Sequence, residues 1–206
     1  MFKSHSVIVR RAEQALMLAL AFSLCVCTWA EGRSRSISSS VIRLHVLAAS
    51  DAEEEQALKL RVRDAVLEEM DDRLRDAHSV SDAEEIIFAS LDDIAQAAFA
   101  ASEGREVRVS FGDEHYPRRV YESFTLPAGR YRSLRISLGE GQGRNWWCIV
   151  YPQACLIGAQ SGVMREAMSG ADYKIISEDG EYELRLKILE VWDKLKDDCA
   201  AAKKHL

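Results

Sequence analysis

From Val41 to Ala49 the apolar residues Ile42, Leu44 and Val46 alternate with Arg43 and His45, the period of a strand with one buried face. The period then lengthens. Ser50 followed by Glu53 forms a capping box, and Leu58, Val62, Val66, Met70 and Leu74 recur every four residues as the apolar stripe of a helix. A second box, Ser81 with Glu84, opens another helix whose stripe is Ile87, Leu91, Ile94 and Ala98, closed by Gly104. Period two returns at Val107, Val109 and Phe111, followed by a loop at His115 to Pro117 and a strand from Val120 to Leu126. Pro127-Ala128-Gly129 is a tight turn, after which Leu134, Ile136 and Leu138 alternate with Arg135. A pliable loop with glycines at 139, 141 and 143 leads into the aromatic and β-branched run Trp146 to Tyr151, which Pro152 stops.

Helices followed by antiparallel strands indicate an α+β fold, with two amphipathic helices packed on a mostly antiparallel sheet. Gln160 to Asp172 is weakly patterned. Tyr182 to Leu189 alternates like a strand, and Leu189 to Cys199 reads as a C-terminal helix.

The N-terminus adds a compartment. Lys3, Arg10 and Arg11 precede an apolar run from Ala15 to Thr28, and Thr28-Trp29-Ala30 offers small residues where a signal peptidase cuts. Residues 1–30 therefore read as an export signal or an uncleaved anchor, and the serine-rich stretch 31–40 as a flexible linker. Residues 41–157 form the domain and 158–206 an extension.

Export leaves Cys148, Cys155 and Cys199. In an oxidising space a Cys148–Cys155 bridge would stabilise by ~2.5 kcal/mol on the chain-entropy estimate. Two reduced core thiols are the alternative. No histidine or cysteine partner has zinc spacing, and no cofactor motif is present.

Charge is uneven. Ser50 to Glu103 carries sixteen acids and five bases, whereas Arg105 to Arg144 carries eight arginines and five acids. Arginine's planar fork suits carboxylate or phosphate partners, although these arginines can equally answer the helices' acids within the domain. A net charge of −6 and an export signal argue against nucleic acid.

No catalytic motif stands out. Cys148 with His45 or His115 as base would make a cysteine hydrolase acting on cell wall, in competition with the disulfide. Trp146 and Trp147 face opposite ways on a regular strand, so one is core. The other, beside Arg144 and Asn145, is either covered by a helix or an aromatic anchor for a partner, or for glycan in an envelope-binding module. Arg43 and His45 form a second exposed patch or simply a solvated sheet face.

Five blocks carry a resemblance. They are Arg-Leu-His-Val-Leu-Ala-Ala-Ser-Asp from Arg43 to Asp51, Gln56 to Leu60, Arg63 to Val66, Phe-Thr-Leu-Pro-Ala-Gly from Phe124 to Gly129, and Gly-Glu-Gly-Gln-Gly-Arg-Asn-Trp-Trp-Cys from Gly139 to Cys148. Together, over 42–156, they resemble the stage II sporulation protein R family. The resemblance implies a protein exported into the space between forespore and mother cell. There it would trigger a membrane-embedded aspartic protease, which removes the pro-sequence of sigma factor E. On that reading the chain is a ligand and not an enzyme. The family supplies no contact residues, so Arg144, Asn145, Trp146, Trp147, Arg43 and His45 rest on physical grounds.

Overall fold

The computed structural model describes residues 2–121, 123–152 and 161–177. It divides into two compact units, one reaching Arg35 and the other starting at Ser36.

The first unit is carried by helix α1 (Phe2–Ser38). Its stretch from Arg10 to Ser38 is long and apolar enough to cross a membrane, by length and composition. Leu16, Leu18, Phe22 and Leu24 are exposed along it, as a signal or anchor helix requires. The flexible linker expected at 31–40 is not observed. The helix continues to Ser38, with Arg35 and Glu31 paired one turn apart, and Ile37 is buried in the second unit. Serine-rich composition masked an apolar residue that ties this stretch down.

The second unit begins with β1 (Ile42–Leu47), followed by α2 (Glu53–Arg75), α3 (Val80–Ala89) and α4 (Leu91–Ala100). Then come β2 (Val107–Tyr116), β3 (Arg119–Val120), β4 (Thr125–Leu126), β5 (Gly129–Leu138), β6 (Asn145–Tyr151), α5 (Ser161–Ala167) and α6 (Gly170–Ile176). The fold is α+β with a mixed sheet in the order β2-β5-β1-β6. Only β1 and β5 run parallel; β2–β5 and β1–β6 are antiparallel.

The expected stripe of α2 is buried throughout, from Leu58 to Leu74. It packs with Ile87, Ile94 and Ala98 on one sheet face made by Ile42, Leu44, Val46, Leu134, Ile136 and Leu138. Each such leucine, isoleucine or valine contributes about 1.5–3 kcal/mol by leaving water. The helix starts differ from the sequence reading. Ala52, with no side-chain cap, precedes α2, and Ser50 accepts only a 3.3 Å bond from the Ala52 amide. The second cap is Ser79, not Ser81: its Oγ accepts from the Asp82 amide, and Asp82 accepts from the His78 amide. The third-position acid is thus aspartate, two residues earlier than the serine–glutamate pattern placed it. The helix pauses at Ser90, dividing α3 from α4.

The sheet departs from expectation on its arginine side. Strand β2 runs through His115 and Tyr116, which were expected in a loop, and pairs with β5 along ten residues. The strand expected from Val120 to Leu126 folds instead into the small β3–β4 hairpin. With β5 and β6 flanking it, β1 is interior and all six of its residues are buried. Arg43 and His45 therefore lie inside the molecule and not on a solvated face. Over them Tyr116, Tyr131, Ile149, Phe124 and Leu126 gather with Ile37, Met164, Met168 and Ile176 into a second apolar cluster. Helices α5 and α6 occupy the weakly patterned region. The strand at 182–189, the helix at 189–199 and Cys155 and Cys199 lie outside the described residues.

Candidate functional site

The glycine loop is fastened to the connection between β1 and α2. Gly139 and Gly141 adopt positive φ, which turns the chain out of β5. The Gly143 amide donates to the Ala48 carbonyl at 2.9 Å, and the Arg144 amide to Asp51 Oδ1 at 2.7 Å. Lys59, buried on α2, donates from Nζ to the Arg144 carbonyl at 2.8 Å and to Gln56 Oε1 at 2.7 Å. Gln56 in turn donates to the Ser50 carbonyl. Burial, and then the Arg144 charge, lower the pKa of the Lys59 ammonium against the opposing pull of Asp51. The loop passes so close to the β1–α2 connection that a side chain at 143 would strike the Ser50 carbonyl.

Beneath the loop, on the sheet face away from the helices, runs a polar chain. Asn145 Oδ1 is 3.0 Å from His45 Nε2, and His45 Nδ1 is 2.8 Å from Glu114 Oε1. Arg135 donates to the same Glu114 oxygen at 3.0 Å, and Ser133 Oγ donates to the other at 2.9 Å. Tyr116 OH and Ser133 Oγ share a 2.7 Å bond. Burial by itself pushes the Glu114 carboxyl up, but His45, Ser133 and Arg135 together hold it below the usual glutamate value. A carboxylate only accepts, so His45 Nδ1 carries a proton. The Asn145 amide can accept from a charged ring or, turned over, donate to a neutral one.

Next to this chain Arg43 is enclosed by aromatics. Its guanidinium carbon lies 4.0 Å from the Tyr116 ring centre and 5.0 Å from that of Tyr131, and Nη2 donates to Tyr121 OH at 2.8 Å. Among the described residues its Nε and Nη1 have no hydrogen-bond partner. Cation–π attraction from the two rings offsets part of the cost of burying this charge. Burial pushes the phenols of Tyr116, Tyr121 and Tyr131 up, so they remain protonated.

Of the residues singled out in the sequence, Arg144, Asn145 and Trp146 are exposed. The Arg144 side chain is 71% exposed. Trp146 is 37% exposed at the sheet edge, with the Arg63 guanidinium 4.4 Å from its ring centre. Trp147 faces the other way, half-buried, 5.8 Å from the His45 ring and 5.5 Å from the Arg119 guanidinium. Neither tryptophan is fully buried, because β6 is an edge strand. Arg43 and His45 are the support behind this surface and not a second patch.

The geometry opposes a cysteine dyad using His45. Cys148 is level with Leu44 and packs toward the helix-side core, whereas His45 is level with Trp147 on the other face. Nor does the His45–Glu114 pair form a triad, since the outer nitrogen of the imidazole meets an amide and no nucleophile. Sequence reasoning missed Glu114, Ser133 and Tyr116, whose roles depend on the β2–β5 register. It also missed Lys59, Gln56 and Asp51, although all three stand in the blocks that suggested the family.

Comparison with known proteins accounts for those blocks. The family model for stage II sporulation protein R matches residues 38–161. The chain is 34% identical over 130 residues to the stage II sporulation protein R of Bacillus subtilis (strain 168). That alignment covers 61% of this chain and 58% of the relative. No solved structure matches.

Proposed function

The chain belongs to the stage II sporulation protein R family, and on that premise we propose that its role in sporulation is that of an exported signal. It acts between forespore and mother cell, where it activates a membrane-embedded aspartic protease that processes the pro-form of sigma factor E. The observation that carries this reading is the family match over 38–161, which takes in the glycine loop, the segment it docks on and the polar chain beneath. The apolar N-terminal helix fits the export step.

On this reading the protein makes and breaks no bonds. It binds the active form of the protease more tightly than the inactive one and shifts the balance accordingly. Arg144, Asn145, Trp146 and Trp147 present the contact surface, while His45 and Arg43 hold it from behind. A Cys148–Cys155 bridge would fix the end of β6.

The test is reconstitution in a host that does not sporulate. The protease and its pro-sigma substrate are co-produced with the full chain or with a chain lacking residues 1–30. Shortening of the substrate that depends on the exported chain supports the proposal. Equal shortening by the version retained in the cytoplasm, or none in either case, contradicts it.

A further inference from the structure

Helices α3 and α4 bury one face continuously despite the pause at Ser90. Ala83, Ile87, Ser90, Ile94, Ala98 and Ser102 are all buried, at spacings of three and four. The Ser90 amide still donates to Ile86, and the Ile94 amide to Ser90, so the helical path is kept. The opposite face is therefore also continuous. It carries Glu85, Phe88, Asp92, Gln96, Phe99 and Glu103, all exposed.

Phe88 is 70% and Phe99 61% exposed. Phe88 follows the buried Ile87 and Phe99 the buried Ala98, so the two rings lie on the same outer side. Single exposed apolar residues are ordinary, but two phenylalanines aligned on one ridge are the kind that anchor a partner. The stretch from Val80 to Gly104 contains six acids and not one lysine or arginine. Glu84, Asp93 and Glu103 are held by Arg132, Arg73 and Arg61 from elsewhere in the fold. Among the described residues Glu85 and Asp92, on either side of Phe88, form no ion pair.

We propose that this ridge is a docking surface for a basic, amphipathic segment on the extracytoplasmic side of the activated protease, with apolar side chains reaching Phe88 and Phe99 and Lys or Arg between them. The inference rests on the activation reading above for the partner, and on the ridge itself for the partner's chemistry. Glu85 and Asp92, the ridge charges with no ion pair among the described residues beside Phe88, are both acidic, which disfavours an anionic lipid surface and nucleic acid. A second copy of the chain would bring Glu85 and Asp92 against their own kind, which disfavours self-pairing.

The experiment uses the full chain with the protease and its substrate. Phe88→Ser combined with Phe99→Ser, and Glu85→Arg combined with Asp92→Arg, are compared with the unaltered chain at limiting amounts. All four positions are exposed, so melting temperatures of the purified variants should match the parent. Each pair should cut substrate processing by about tenfold, as for loss of two anchoring contacts. Full processing by the phenylalanine pair, with the parent active, overturns the ridge and leaves the activation reading intact. A photo-crosslinking amino acid at 88 supplies the independent arm. A crosslink to the protease without any processing would keep the ridge and sink activation, and no crosslink at 88 alongside normal processing would sink the ridge. Concentration-dependent dimers that vanish in the phenylalanine pair would make the ridge a self-contact and overturn the proposal.

Discussion

Two residues carry the strongest constraints. Gly143 has no unusual φ; its requirement is space. An added Cβ would strike the Ser50 carbonyl and stand 2.9 Å from Ala48 Cβ. Gly143→Ala should therefore undock the loop from the β1–α2 connection and lower stability by about 1–3 kcal/mol, as overpacking does. Gly112→Ala, where a Cβ meets nothing within 4 Å, is the matched control. Paired urea melts decide it, and equal stability for the two variants would refute the close-approach argument. Arg43 is the reverse case, a charge that the fold tolerates more than needs. Two of its nitrogens have no partner among the described residues in a buried site, and desolvating such a charge costs several kcal/mol before the aromatic faces offset part of it. Arg43→Met keeps the volume and drops the charge, leaving one phenol without its donor. Its unfolding free energy should lie within about 1 kcal/mol of the parent or above it. A loss of several kcal/mol would show that the tyrosine cage holds the cation more tightly than its geometry implies.

At the scale of elements, what was legible followed period. The stripes of α2 and α4 and the helix-side residues of β1 and β5 came through, because spacing alone groups the residues that share a face. What spacing could not show was how many faces are buried. Strand β1 reads as one-sided, yet it lies between β5 and β6 with a core on each side. Arg43 and His45 consequently changed from surface to interior. The His45–Glu114 link was hidden for the same reason: it spans 69 residues and depends on β1 and β2 both flanking β5. That link makes a pH prediction. Glu114 has a depressed folded-state pKa, so its contribution is fully present above the ordinary value of 4.5 and is lost as pH falls through the lower folded value. Glu114→Gln should be less stable than the parent by about 1–3 kcal/mol at neutral pH, with the gap closing in acid. Melts across the acid range test this, and a gap constant with pH would assign the loss to packing and not to charge.

For the whole molecule, the uneven charge has a partial internal answer. Arginines of the sheet half reach acids of the helical half, as Arg105 does to Glu55 and Arg132 to Glu84. The acids left over gather on the outer helical surface, where they shape what can approach. The second question at this scale is where the folded unit starts. Composition placed a loose linker up to Ser40, but Ile37 is buried among Tyr116, Phe124 and Met164, and Ser36 Oγ donates to Asp172 Oδ2 at 2.7 Å. If residues 36–40 belong to the fold, a chain begun at residue 36 should match the melting behaviour of the full chain's domain. One begun at residue 41 should lose about 2–4 kcal/mol, the sum of one buried isoleucine and one part-buried hydrogen bond. Ile37→Ser in the full chain should reproduce most of that loss. Were both versions as stable as the parent, the stretch would be a tether after all, and the second apolar cluster would close without it.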